Sequence, residues 1–221
     1  MDGNNKNEIL EIWGYKTYRP FRIYWILNEY NLKFKSYKIG SRTGETQTEN
    51  YLKMNPKGKI PILKHNNNII TESLAAVNYI VNNFNQPEDF FIPNTALEKA
   101  KVDEWIAFSL MELDCLVVYI LRRHEKEENL GLAKLYGEAP NAVKTAREHF
   151  DRMLKACENK IPNRGWLFGE SPSVADIIFL SCLMHCDRFK LEIKSDKILS
   201  FYERAIKRDR YISAYKDCFQ D

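Results

Sequence analysis

The sequence lacks several features that would place the protein in a special class. No apolar run among its 221 residues approaches the length of a membrane span, and segment 1–7 is polar, without the apolar core of a signal peptide. An excess of one charge is also missing, because 33 Lys and Arg residues are interspersed with 30 Asp and Glu residues. This balance argues against a nucleic-acid or membrane partner. We therefore expect a soluble, cytoplasmic protein.

Cysteine is scarce and is absent from the first half of the chain. The five cysteines are widely spaced, and the first of them is Cys115. An odd, scattered set does not indicate a disulfide framework, so we expect reduced thiols. Cys182, His185 and Cys186 have helical spacing that could hold a metal, but their surroundings are apolar throughout. We interpret them as core residues and predict that no metal is bound.

Composition and length indicate a globular chain of two small domains. Apolar residues make up 44% of the sequence and charged residues 29%. A polar, Pro-bearing segment at 86–94 separates a first part with strand patterns from a remainder with helical patterns only. We predict a first domain at 1–85, a linker at 86–94 and an all-α domain at 95–221.

The first domain has a mixed pattern. Its expected elements are a strand at 9–13, a helix from Pro20, a strand at 34–39, a short helix at 48–54, a hairpin around Asn66-Asn67-Asn68 and a helix at 72–84. A strand, helix, strand, hairpin and helix in this order predict a thioredoxin-like α/β domain with a four-stranded mixed sheet.

The most informative stretch runs from Asn55 to Ser73. It begins with the turn Asn55-Pro56-Lys57-Gly58. Pro61 cannot donate a hydrogen bond to a sheet, so a strand must begin there or leave that position unpaired. Glu72 and Ser73 then open a helix whose first backbone N–H groups favour an anionic ligand.

This stretch resembles the glutathione-binding half of the glutathione S-transferase family. The family pattern is Asn-Pro-x-Gly-Lys-x-Pro-x-Leu, followed after a short hairpin by Glu-Ser at a helix start, and every position matches here. The resemblance implies a glutathione site made by Arg19, Lys59, Ile60, Pro61, Glu72 and Ser73. In this site Glu72 would bind the ammonium of glutathione, Ser73 its carboxylate, Ile60 its cysteine backbone and Lys59 its glycyl end. Pro61 would follow a cis peptide bond.

The resemblance also implies a hydroxyl group that activates the glutathione thiol. Theta-like, delta-like and many bacterial members have a serine four residues before an arginine, and Tyr18 occupies that position before Arg22. Lowering a thiol pKa by about two units from 8.5 requires about 2.7 kcal/mol, and one charge-assisted hydrogen bond supplies about 1.5 to 3 kcal/mol. Tyr18 is therefore the expected catalytic residue. A phenol is longer than a serine side chain, so Tyr15 and Thr17 stay open as alternatives.

The activity implied by the resemblance is conjugation of glutathione to a hydrophobic electrophile by a homodimer. We expect the electrophile between the Tyr18 loop and the long helical stretch from Leu97, where it would contact Phe108, Glu112 and Tyr119. The first domain has no cysteine, which excludes disulfide reduction and a cysteine nucleophile. The alternative is a non-catalytic domain that binds glutathione or a protein.

A second motif serves folding. Ser173-Val174-Ala175-Asp176 is a capping box before the apolar run from Ile177 to Met184. It resembles the Ser/Thr-x-x-Asp box before the core helix of the family's second domain. We predict a structural role for Asp176.

Overall fold

The computed structural model describes residues 9–127 and 130–220. Contacts divide the chain into two compact units. One consists of Asp89–Lys207, and the other combines the residues up to Glu88 with those from Arg208 onward.

The division falls inside segment 86–94, where the sequence predicts a linker. The C-terminal residues are grouped differently from the prediction, because they pack with the first part of the chain through aromatic rings. Tyr211 lies 5.1 Å from Phe21 and 4.9 Å from Trp25, measured between ring centroids. The limits 1–85 and 95–221 stay a prediction of the domain organisation.

From residue 9 to Glu88, the described chain has four strands and three α-helices, with a short 3-10 helix at Glu45–Gln47. They are β1 (Leu10–Trp13), α1 (Tyr18–Glu29), β2 (Lys35–Tyr37), α2 (Glu49–Met54), β3 (Ile62–His65), β4 (Asn68–Thr71) and α3 (Ser73–Asn83). The strands form one sheet in the order β2-β1-β3-β4, in which β1 and β2 are parallel and the other neighbours antiparallel. This mixed sheet with its helices confirms the predicted α/β fold.

Helix α1 begins two residues before the predicted start at Pro20. Tyr18 is its first residue, and Thr17 is the N-cap in an extended conformation. Proline is compatible with this position because the N–H groups of a first turn have no intrahelical partner. Tyr18 therefore lies on a helix, where the sequence placed it in a loop.

The remaining elements are helical, as predicted. They are α4 (Ala96–Phe108), a π-helical segment (Ser109–Tyr119), α5 (Ile120–His124), α6 (Ala133–Tyr136), α7 (Pro140–Cys157), α8 (Val174–Leu183), α9 (Cys186–Phe189), α10 (Asp196–Ile206) and α11 (Asp209–Phe219). Within the described ranges, no helix has the length and apolar character needed to span a membrane.

Helix α8 is the core helix of the second unit, since all its residues are buried. The predicted capping box is confirmed: the Asp176 carboxylate accepts hydrogen bonds from the Ser173 amide at 2.8 Å and from the Ser173 hydroxyl at 2.6 Å. Asp176 also accepts one from the Leu167 amide at 3.0 Å, which the sequence did not predict. Burial raises the pKa of Asp176 to about 6, although these hydrogen bonds oppose the shift.

Candidate active site

The turn before β3 is fixed by hydrogen bonds to its backbone. The Lys59 carbonyl accepts from the Tyr51 hydroxyl at 2.9 Å and from the Asn55 side chain at 2.7 Å. Gly58 has φ +58°, a conformation that favours glycine, and a Cβ there would lie 2.6 Å from the Gln47 side-chain nitrogen, which would have to move. These contacts hold the backbone of Lys59 while its side chain stays exposed.

The Ile60–Pro61 peptide bond is cis, as the resemblance implies. Ile60 lies against the end of β1, where a Cβ on Gly14 would come within 2.7 Å of the Ile60 Cβ. Gly14 has φ +123° and begins the loop toward Tyr15 and Tyr18. A glycine at this point therefore brings the loop before α1 close to the cis peptide.

Glu72 has an unusual backbone conformation at the start of α3. It is the N-cap residue, with φ +73° and ψ 124°. Positive φ is uncommon for a residue other than glycine, and such strain is typical of functional positions. The Glu72 side chain is 71% exposed and forms an ion pair with Lys57, whose amine also donates to the Thr71 hydroxyl at 3.1 Å. The Glu72 carboxylate is therefore accessible to a ligand.

Ser73, the next residue, is buried and contacts a buried cation. Its hydroxyl accepts a hydrogen bond from the Arg22 guanidinium at 3.3 Å. Arg22 is only 1% exposed, so its positive charge is little screened by solvent and lies beside the N-terminus of α3. The cation and the helix dipole both favour an anion at Ser73. The sequence showed Arg22 as part of a motif but gave no sign of this contact.

Arg22 also connects Ser73 with Tyr18. The guanidinium carbons of Arg22 and Arg19 each lie 5.2 Å from the centroid of the Tyr18 ring. Tyr18 is 3% exposed. Tyr15 and Thr17 are partly exposed on the preceding loop. Tyr18 thus lies beside Arg19 and Arg22, and Arg22 links it to Ser73 at the beginning of α3.

The three residues predicted for the electrophile lie in the helical unit, and two of them share a cleft. Phe108 and Glu112 line a cleft of about 430 Å³, and Tyr119 is not in its lining. The full lining is Glu104, Trp105, Phe108, Glu112, Met153, Ala156, Cys157 and Lys160. Tyr119 lies beside Arg123 instead, with 5.4 Å between its ring centroid and the guanidinium carbon.

Two family models match the chain. "Glutathione S-transferase, N-terminal domain" matches residues 9–82, and "Glutathione S-transferase, C-terminal domain" matches residues 112–209. The chain belongs to the glutathione S-transferase family. The first of these matches contains the cis turn and the Glu72-Ser73 helix start, which carried the resemblance in the sequence.

The similar proteins are distant in sequence. "Glutathione S-transferase theta-1" of Bos taurus is 27% identical over 192 residues, covering 82% of this chain and 77% of that protein. "Elongation factor 1-gamma" of Prunus avium is 29% identical over 149 residues, covering 67% of this chain and 33% of that protein.

Solved structures of glutathione transferases share the fold. The glutathione transferase URE2P6 from Phanerochaete chrysosporium, in complex with oxidized glutathione, has a TM-score of 0.79 at 19% identity and covers 96% of this chain and 97% of its own. A glutathione transferase homolog from Lodderomyces elongisporus, with two GSH per subunit, also has a TM-score of 0.79, at 17% identity, with coverage of 94% and 98%. At these identities the likeness concerns the fold.

Among the described residues, no group of three or more His, Cys, Asp or Glu side chains is placed to hold a metal ion. Cys182, His185 and Cys186 are buried among apolar residues.

Proposed function

We propose that the protein is a cytoplasmic, homodimeric glutathione transferase that conjugates the thiolate of glutathione to a hydrophobic electrophile. The observation that carries this proposal is the helix start at Glu72 and Ser73. There an accessible carboxylate at positive φ lies next to a buried hydroxyl that contacts a buried arginine. One end of this arrangement suits an ammonium and the other a carboxylate, which are the two charges of the γ-glutamyl group of glutathione.

The rest of glutathione would extend toward the cis turn. Ile60, preceding Pro61, would pair its backbone with the cysteinyl residue, and the exposed Lys59 amine would bind the glycyl carboxylate. Arg19 would add positive charge beside Tyr18. Family membership and the fixed backbone of Lys59 support these assignments.

The proposed role of Tyr18 is to donate a hydrogen bond to the glutathione sulfur. The two nearby arginines favour a negative charge in the same region, which supports a thiolate there. The thiolate would then form a bond to the electrophilic carbon, and the leaving group would depart with its electron pair. Phe108, Glu112 and Tyr119 are the proposed contacts of the electrophile.

A non-catalytic function is the second candidate. The similarity to an elongation factor 1-gamma favours it, because that relative is not named as a transferase. The tyrosine at the usual serine position also favours it. A protein of this kind would bind glutathione, or a protein partner, without ionising the thiol.

The pH dependence of thiolate absorbance from bound glutathione distinguishes the two functions. For a transferase we expect the bound thiol to ionise about two pH units below free glutathione. Tyr18→Phe removes one hydrogen bond, so the thiol pKa should rise by about one to two units, with turnover lowered about ten- to a hundred-fold at neutral pH and recovered at high pH.

Tyr15→Phe and Thr17→Val are the matched controls, because each removes a hydroxyl from the same loop. If one of them moves the titration and Tyr18→Phe does not, the donor is that residue. An unshifted thiol pKa in the wild-type protein would contradict the catalytic proposal and favour the non-catalytic one.

A further inference from the structure

The cleft between α4, the π-helical segment and α7 has a floor of aromatic and sulfur-bearing side chains. The rings of Trp105 and Phe108 are perpendicular, at 89° with 5.7 Å between centroids, and so form a corner. Met153 and Cys157 complete the apolar wall. Burial raises the pKa of Cys157 to about 12, so its thiol stays neutral and acts as an apolar surface.

The cleft has two carboxylates at its rim, in different states of pairing. Glu104 accepts from Lys101 at 2.7 Å and from Lys160 at 2.8 Å. These hydrogen bonds lower the pKa of Glu104 to about 2, so this carboxylate is ionised and is already bound by two amines. Lys160, the amine in the cleft lining, is paired with Glu104, which it shares with Lys101.

Glu112 has a different partner, the His149 imidazole. His149 Nε2 lies 2.7 Å from the Glu112 carboxylate, and Arg152 lies 3.1 Å from His149 Nδ1. A guanidinium can only donate, so Nδ1 is the acceptor and Nε2 carries the proton that bonds to Glu112. No second hydrogen bond to the Glu112 carboxylate is formed within residues 9–127 and 130–220, so one of its oxygens is left to accept from a ligand.

We propose that this cleft binds a small organic cation, with an apolar group against the Trp105–Phe108 corner and the positive charge beside Glu112. Aromatic faces attract cations, and a carboxylate at the same corner adds charge complementarity. The volume of about 430 Å³ suits a molecule with a single aromatic ring. The inference rests on the proposed second-substrate role of Phe108 and Glu112 and names a ligand class for it, but it concerns binding alone.

The test is calorimetric titration with three probes in the absence of glutathione, so failure of conjugation does not affect it. The probes are benzyltrimethylammonium, its uncharged isostere neopentylbenzene and the anion phenylacetate. We expect the cation to bind the wild-type protein at least about tenfold more tightly than either other probe. Glu112→Gln keeps an acceptor for His149 while removing the charge. It should lower the affinity for the cation alone, by about tenfold.

Glu148→Gln is the matched control, because Glu148 is an exposed residue of α7 outside the cleft lining. It should leave the affinity for the cation unchanged. Phe108→Leu should lower the affinity for both benzyltrimethylammonium and neopentylbenzene. Equal binding of cation and anion, or a cation affinity insensitive to Glu112→Gln in a variant of normal melting temperature, would overturn the proposal. If sedimentation shows that the cation binds only to monomers, a second copy of the chain occupies the cleft and the proposal is wrong.

Discussion

Glu72 and Ser73 are adjacent in sequence but differ in how they depend on the fold. The Glu72 side chain is largely exposed, and an exposed ion pair such as that with Lys57 contributes about 0 to 1 kcal/mol to stability. Ser73 is buried, and its hydroxyl accepts from a buried arginine. Replacing Ser73 with alanine would leave the Arg22 donor without that acceptor, so the loss of affinity would be mixed with a loss of stability. Glu72 is therefore the better position for testing glutathione binding.

We predict that Glu72→Ala and Glu72→Gly weaken glutathione binding equally, by about ten- to a hundred-fold, since both remove one charge-assisted hydrogen bond. Their stabilities should differ, because φ +73° strains alanine and suits glycine. The glycine variant should be more stable than the alanine variant by about 1 kcal/mol. Calorimetry and denaturant unfolding measure the two effects separately. Unchanged affinity in both variants would remove Glu72 from the proposed site.

For single residues, the sequence predicted the structural positions of those that belong to a contiguous motif. The cis bond before Pro61 and the helix start at Glu72 and Ser73 could be predicted because turn, hairpin and helix start follow one another at fixed spacing, whereas their contacts with glutathione stay a prediction. The contact of Ser73 with Arg22 could not be predicted, because it depends on how α1 packs against α3. The pairing of Phe108 with Glu112 in one cleft, without Tyr119, likewise depends on α7.

At the scale of secondary structure, the sequence determined the capped start of α8 better than the start of α1 or the geometry inside the long helical stretch. The box before α8 was predicted because its hydrogen bonds are local, between residues three apart. The π-helical geometry of Ser109–Tyr119 was not predicted, since apolar spacing in a buried stretch does not distinguish it from an α-helix. Helix α1 began earlier than Pro20 indicated because proline is tolerated throughout a first turn.

The cap of α8 gives a prediction about pH. Asp176 has a folded-state pKa of about 6, above its usual value of 3.8, so between these values the folded chain binds the proton more tightly than the unfolded chain. The stability contributed by this protonation is fully present below pH 3.8 and is lost as the pH rises through about 6. Relative to Asp176→Asn, which does not titrate, the wild-type protein should lose up to about 3 kcal/mol between those limits.

Denaturant unfolding of both proteins at several pH values checks this prediction. A stability difference between them that does not change with pH would contradict it.

Asp176→Ala should destabilise the protein by about 1.5 to 5 kcal/mol at neutral pH, since it removes the cap and leaves buried donors unsatisfied. Activity per folded molecule should hold. A variant with normal melting temperature and greatly reduced turnover would indicate a catalytic carboxylate.

At the scale of the molecule, the first compact unit is completed by the last helix of the chain. The Arg208 side chain donates to the Glu29 carboxylate at 2.8 and 2.7 Å, and these residues are separated by 179 positions in sequence. Glu29 also accepts from Trp25 at 2.8 Å, and its side chain is fully buried. No local pattern reports such a pair, which is why the sequence assigned the C-terminal helix to the second domain. The first unit therefore depends on a segment beyond the second.

We predict that Arg208→Ala destabilises the protein by about 3 to 5 kcal/mol, because it leaves the buried Glu29 carboxylate without its cation. The double variant Glu29→Gln with Arg208→Met should lose much less stability, because glutamine keeps an acceptor for Trp25 and no charge stays buried. Lys216→Ala, at an exposed position of the same helix, should stay within about 0.5 kcal/mol of wild type. Denaturant unfolding of the three variants checks these values. If Arg208→Ala costs no more than Lys216→Ala, the ion pair does not hold α11 on α1, and the aromatic contacts of Tyr211 with Phe21 and Trp25 must supply the stabilisation.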